Sequence, residues 1–168
     1  MDVEPCSVDR LSDLIKSKTS TMLTKNEFKL ELTTQGMNGD SWDVIVDQDA
    51  FAQIVINLVD NAIKFSVDKN NPEDANRNLN LGFRKVSGKS DTIVFYVRDH
   101  GPGIDTAQSK KIFDLFYRVG NEMTRTQPGT GIGLALVREL TEAMGGSIEL
   151  INHKPGAEFC VTLPARKH

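Results

Sequence analysis

The sequence predicts an α+β sandwich, with helices laid on one face of a mixed sheet. Three observations carry that prediction. Segments 8–23, 49–65 and 131–146 space their apolar residues three and four apart, as a buried helix face requires. Shorter segments between and after them alternate apolar with polar residues, as half-buried strands do. The length, 168 residues, suits one domain that buries roughly 70% of the unfolded surface.

Each element follows in chain order. Residues 8–23 (VDRLSDLIKSKTSTML) place Leu11, Leu14, Ile15, Lys18 and Met22 at helical spacing behind Ser7 as N-cap. EFKLELTT (27–34) alternates, putting Phe28, Leu30 and Leu32 on one strand face. QGMNGD (35–40) is turn chemistry, and WDVIVD (42–47) is a second short strand. The clearest helix starts from Asp49 as N-cap and runs Phe51, Ile54, Val55, Leu58, Val59, Ala62, Ile63. Residues 66–78 are polar and contain Pro72, which predicts a long exposed loop. NLGFRKV and TIVFYVRD are paired strands around SGKSD. Glycine and proline crowd 101–131, leaving room for a short helix near 108–116. GIGLALVRELTEAMGG is the last helix, with Gly145 as its C-cap. SIELINH and EFCVTLP close the chain as a hairpin around KPGA, so the strands read as antiparallel pairs.

Composition excludes several classes. Twenty Lys and Arg against 23 Asp and Glu give a formal charge of −3, a poor balance for nucleic acid or an anionic membrane. No apolar run approaches the ~20 residues that span a bilayer, and the first residues hold no signal core. Cys6 and Cys160 form neither a disulfide framework nor a zinc cluster, and read as reduced thiols. The expectation is a cytoplasmic domain, whether or not a parent chain is anchored in a membrane.

Three constellations carry chemistry. Asn57, Asn61 and Lys64 share one face of the 49–65 helix, opposite its apolar stripe. Buried amides left without partners cost about 1–3 kcal/mol, so this pair must bond to something, although the spacing alone also suits a solvated face. DHGPGI (99–104) sets Asp99 at a strand end, followed by two glycines that leave room for a flat ligand. A carboxylate there accepts from an exocyclic amine, which adenine offers and guanine replaces with a carbonyl. The same six residues also suit an ordinary glycine-rich turn. PGTGIGLA (128–135) opens the last helix with Gly129, Gly131 and Gly133, a phosphate cradle or a hinge. It is not a dinucleotide fingerprint, because no strand precedes it and the third glycine comes one residue early. GFRKVSGKS (82–90) imitates a P-loop, but Phe83 stands where the first glycine belongs and a strand follows.

The order of these segments resembles one family. QIVINLVDNAIKFS resembles the N box of the sensor histidine kinases, DHGPGI their G1 box, IFDLFYR (112–118) their F box and PGTGIGLALV their G2 box. GGSIEL and GAEFCVTLP resemble the closing strands, so the likeness covers about residues 8–164. It implies a single catalytic ATP-binding domain over 1–168 with the Bergerat-type two-layer fold: a mixed sheet under about three helices, with a mobile ATP lid near 105–130. By resemblance, Asn61 binds Mg²⁺, while Asn57 and Lys64 stand near the phosphates. Asp99 reads adenine, Gly101, Gly103 and Ile104 shape the base pocket, and Phe65 lies beside the base. Arg118 reaches the γ-phosphate, and Gly129, Thr130, Gly131, Gly133 and Leu134 form the phosphate side of the lid.

The family's clamp ATPases place a glutamate one turn before the Mg²⁺ asparagine to activate water. This chain has Asn57 there, and an amide is no general base, which favours the kinase over an ATPase clamp or a degenerate nucleotide-binding module. The kinase reading implies a histidine-bearing dimerisation and phosphoacceptor domain as partner, and a response regulator indirectly. The isolated domain is then expected to be a monomer and the parent a homodimer. The histidines His100, His153 and His168 all follow the N box, so the acceptor hairpin is expected outside this sequence.

Overall fold

The protein was analysed as a computed structural model, which describes residues 1–66, 73, 75–86, 88, 91–109, 111–114 and 133–168. The elements are β1 (Glu4–Ser7), α1 (Val8–Lys25), β2 (Lys29–Gln35), β3 (Trp42–Val46), α2 (Gln48–Ser66), β4 (Asn78–Arg84), β5 (Thr92–Arg98), α3 (Thr106–Ser109), α4 (Gly133–Ala143), β6 (Ser147–Asn152) and β7 (Ala157–Lys167). The sheet runs β1-β3-β7-β5-β4-β2, and β6 also pairs with β7.

Strand alternation decides which face carries the helices. Leu79, Leu81 and Phe83 of β4, Ile93, Phe95 and Val97 of β5, and Phe159, Val161 and Leu163 of β7 are all buried in one core. They meet Phe51, Ile54, Val55, Leu58 and Val59 of α2, which crosses that face. The rings of Phe51 and Phe95 pack edge to face with centroids 5.1 Å apart. Helices α1 and α4 flank α2, so the expected mixed sheet with helices on one face is the observed arrangement.

Several local expectations need correction. The strands are not simply antiparallel pairs: β2 runs parallel to β4, whereas β3 pairs with β1 and β7. The turn at 35–40 therefore joins two widely separated strands rather than making a hairpin. Its chemistry was visible in the sequence, but the pairing of its flanks is tertiary. The N-cap of α2 is Asp47, whose Oδ1 accepts the Ala50 N–H at 2.9 Å; Asp49 sits inside the first turn. The buried stripe of α1 is Val8, Leu11, Ile15, Thr19 and Leu23, while Lys18 is exposed and Met22 only partly buried. Thr19 replaces Lys18 because its hydroxyl is satisfied inside the helix, donating to Ile15 O at 2.7 Å. Ser7 caps α1 as expected, accepting from Arg10 N–H. Phe28 is buried just before β2, and β1 was not anticipated at all.

The short helix expected near 108–116 is α3, four residues from Thr106, followed by turns at 111–113. The last helix begins at Gly133 within the described residues and ends against Gly145 (φ +82°). Most of the 66–78 loop and most of the lid lie outside the described residues.

Candidate nucleotide site

The site is assembled from three elements that are far apart in sequence. Helix α2 supplies the amides. The Nδ2 of Asn57 donates to Gln53 O at 2.8 Å, and that of Asn61 donates to Asn57 O at 2.8 Å. A backbone carbonyl only accepts, so each amide turns its nitrogen to the helix and its oxygen away. The amide pair that had to bond to something therefore bonds to its own helix and presents two neutral oxygens. Helix α4 meets this face at its first residue. A methyl group on Gly133 would sit 3.0 Å from Asn57 Oδ1 and 3.8 Å from Asn61 Nδ2. The third glycine of the 128–135 motif thus lies against the asparagine pair.

Lys64 occupies the same face one turn on and is held by Asp60, with Nζ 2.7 Å from Oδ2. Asp60 was missed in the sequence reading, although an acid four residues before a lysine is a legible helix pair.

Strand β5 delivers Asp99, which is 1% exposed. Its Oδ1 accepts from Gly101 N–H at 3.0 Å and Ala157 N–H at 3.3 Å. Its Oδ2 is buried with no partner among the described residues. Burial pushes the carboxyl up to about 6; the two amide bonds and the charges of Arg98 and His153 only partly offset this. A buried acceptor oxygen without a donor is a group that an N–H donor, such as an exocyclic amine, would satisfy.

The surrounding backbone is tight. The room expected at Gly101 for a flat ligand is taken instead by the end of α2: a methyl there would run into the Phe65 carbonyl oxygen, so this glycine makes way for backbone. Phe65 is 6% exposed and packs in the core, and Leu134 of α4 is also buried there. Gly103 (φ +84°) lies against Gly156, and the N–H of buried Ile104 donates to Asn152 Oδ1 at 3.2 Å. The β6–β7 turn that supplies these contacts, including Gly156 and Ala157, reads in the sequence as the KPGA hairpin turn and the start of a closing strand, with no sign that it meets Asp99. Arg118, Gly129, Thr130 and Gly131 lie outside the described residues.

Each histidine has a hydrogen-bond partner outside α2. His100 Nε2 pairs with Asn80 Oδ1 at 2.6 Å, His153 Nε2 with Glu158 Oε1 at 2.6 Å, and exposed His168 with Asp43. The pKa of His100 is lowered by burial and by the charges of Arg98 and His153. A separate groove of about 280 Å³ runs between the start of α1 and β3, past Ser7, Asp9, Trp42 and His168, and shares no residue with the site. Among the described residues no helix is long and apolar enough to cross a membrane.

A deep carboxylate with one unpartnered acceptor oxygen, together with an amide-bearing helix, suits a nucleotide-binding domain. Residues 46–167 match the family of histidine kinase-, DNA gyrase B- and HSP90-like ATPases, and the chain belongs to that family, as a catalytic ATP-binding domain of the histidine-kinase type. It is 35% identical over 126 residues to the sensor histidine kinase WalK of Bacillus subtilis, covering 74% of this chain and 19% of that protein. It is 36% identical over 140 residues to the methanogenesis regulatory histidine kinase FilI of Methanothrix harundinacea, covering 80% of this chain and 14% of that protein. The chain thus spans less than a fifth of these relatives. In fold it is similar to a mycobacterial sensor histidine kinase MprB structure (TM-score 0.74, 24% identity, 98% of this chain and 100% of that one). The catalytic domain of histidine kinase ThkA is similar too (TM-score 0.74, 23% identity, 98% and 96%). The architecture is the expected Bergerat sandwich.

Proposed function

We propose that this domain binds Mg-ATP and donates the γ-phosphoryl group to a histidine on a separate dimerisation and phosphoacceptor domain. The observation that carries this reading is the pair of outward amide oxygens on α2, with no carboxylate one turn before Asn61 to activate water. The orphaned Oδ2 of Asp99 accepts the adenine amine and discriminates against guanine. Asn61 offers a neutral oxygen for Mg²⁺, a cation that commonly takes few protein ligands beside phosphates. That ion, when bound, would withdraw charge from the phosphate oxygens. Asn57, Lys64 and Arg118 serve the phosphate end, where Lys64 exchanges Asp60 for phosphate and Arg118 adds a second cation.

Catalysis of this kind rests on position and electrostatics, with little covalent work by the domain. The lid of about 105–130 closes the phosphate end, with Gly129, Thr130, Gly131 and, at the start of α4, Gly133 and Leu134 on its phosphate side. Phe65, Gly101, Gly103 and Ile104 complete the base pocket. The three histidines of this chain are bonded to Asn80, Glu158 and Asp43 on the sheet, so the nucleophile comes from the acceptor domain. A full-length kinase, ShkA, solved in complex with AMPPNP, shares the fold (TM-score 0.74, 24% identity, 100% of this chain and 32% of that one). The parent is then a homodimer that passes phosphate on to a response regulator.

The test is a titration followed by a phosphotransfer assay. ATP, not GTP, should bind, and Asn61→Ala should abolish the Mg²⁺ dependence of that binding. Added acceptor domain should gain an acid-labile phosphohistidine. Rapid phosphate release by the chain alone would overturn the kinase reading.

A further inference from the structure

Asp99 is gripped by the β6–β7 turn, and that turn is itself held from the helix-free face of the sheet. Ala157 N–H donates to Asp99 Oδ1 at 3.3 Å, and Asp99 N–H donates to Ala157 O at 3.0 Å. Asn152 Oδ1 accepts from Ile104 N–H, and Gly156 lies so close that a methyl there would sit 2.0 Å from Asp99 O. The turn closes through His153 N–H to Gly156 O at 2.8 Å.

The next residue along, Glu158, points to the opposite face from its core neighbours Ala157 and Phe159, yet is only 5% exposed. Its Oε1 pairs with His153 Nε2 at 2.6 Å, and its Oε2 accepts from Arg84 at 2.8 Å. Burial alone would push the Glu158 carboxyl up, but these two partners outweigh it and hold it below the usual range. Arg84 in turn lies over the Tyr96 ring at 4.6 Å, and the Tyr96 hydroxyl pairs with Thr33 Oγ1 at 2.6 Å. One continuous polar tie therefore runs from the turn across β7, β4 and β5 to β2. Asp99 faces the helices on the other side of that sheet.

We propose that His153, held by Glu158, is a positioning residue for purine recognition: the pair braces the 152–157 turn and so fixes the Asp99 carboxylate that meets the base. This rests on the reading of Asp99 as the base contact. His153 touches no nucleotide and acts only through the turn. A buried carboxylate holds its donors more firmly than an exposed one, because losing a partner leaves a desolvated charge. The His153 side chain is 28% exposed, and leucine keeps most of its bulk at that position.

The experiment compares His153→Leu, which keeps bulk but loses the donor, with His153→Gln, which keeps one. Adenosine and ATP affinities are measured by calorimetry, and exchange of the Ala157 amide by NMR. His153→Leu should weaken adenosine and ATP by the same factor, roughly fivefold, and speed Ala157 exchange. His153→Gln should stay within about twofold of the unaltered chain. Unchanged adenosine affinity in the leucine variant, a loss confined to ATP, or equal losses in both variants would overturn the proposal. If the unaltered chain binds no adenosine, the reading of Asp99 falls by itself. The bracing is then judged by Ala157 exchange: acceleration in the leucine variant alone supports it, and unchanged exchange refutes it.

Discussion

Replacing Asp99 with asparagine should make the protein more stable and less able to bind adenine nucleotides. The carboxyl has a pKa of about 6 in the fold, against about 3.9 in an unfolded chain. Ionising it inside the protein therefore costs about 3 kcal/mol more than ionising it in the unfolded chain. Between those two values the folded state keeps a proton that the unfolded state has lost. Stability consequently falls as pH rises from about 4 to about 6, and the full cost persists above that. Asparagine carries no charge to desolvate, and its oxygen can still accept from Gly101 and Ala157. Its nitrogen takes the place of Oδ2, where no acceptor waits among the described residues, at a cost of about 1–2 kcal/mol. The net gain at pH 8 is then about 1–2 kcal/mol, or roughly 3–6 °C in Tm. At a pH of about 4.5 the gain should vanish or reverse. Urea or thermal unfolding across that range measures it. ATP affinity should fall roughly 10–150-fold, the worth of a hydrogen bond to a charged acceptor. A gain independent of pH, or no gain at pH 8, would refute the account of Asp99 as a desolvated charge.

Other consequences follow from packing. Gly133→Ala adds a methyl 3.0 Å from Asn57 Oδ1 while favouring helix, so ATP affinity should drop roughly tenfold with no loss of Tm; calorimetry and a melting curve separate the two. Cys160 is pushed up to about 12 chiefly by burial, and Cys6 is raised for the same reason. Neither thiol should react with Ellman's reagent at pH 8 in the native protein, and both should react after denaturation. A fast-labelling native thiol would contradict the burial described for both.

The site was partly legible because its chemistry is local. Asn57, Asn61 and Lys64 share a helix face by spacing alone, and the structure does present both amide oxygens away from the helix. The glycine at 133 opening a helix was also visible. What spacing could not reveal is that this glycine abuts Asn57, since 76 residues separate the two positions. Glu158 shows the same limit. Alternation places it on the helix-free side of its strand, where a carboxylate is ordinarily solvated. In the fold Arg84 of β4 and His153 of the β6–β7 turn both bond to it, and it is buried.

The strand pairing divides in the same way. Period-two alternation marked the strands other than β1 and which of their residues face the core, because that property belongs to the backbone pleat. Spacing of three and four determined α2, whose apolar stripe faces the core. Partner choice among strands was decided by tertiary packing: β2 joins β4 in parallel, and the turn at 35–40 bridges distant strands. Hydrogen-bonding edges are chemically alike, so local sequence carries little preference among them, and burial of the shared core selects the order. The raised pKa of Asp99 belongs to that second category. The same six residues at 99–104 in water would hold an ordinary carboxylate, and it is the enclosing turn and helix end that desolvate it.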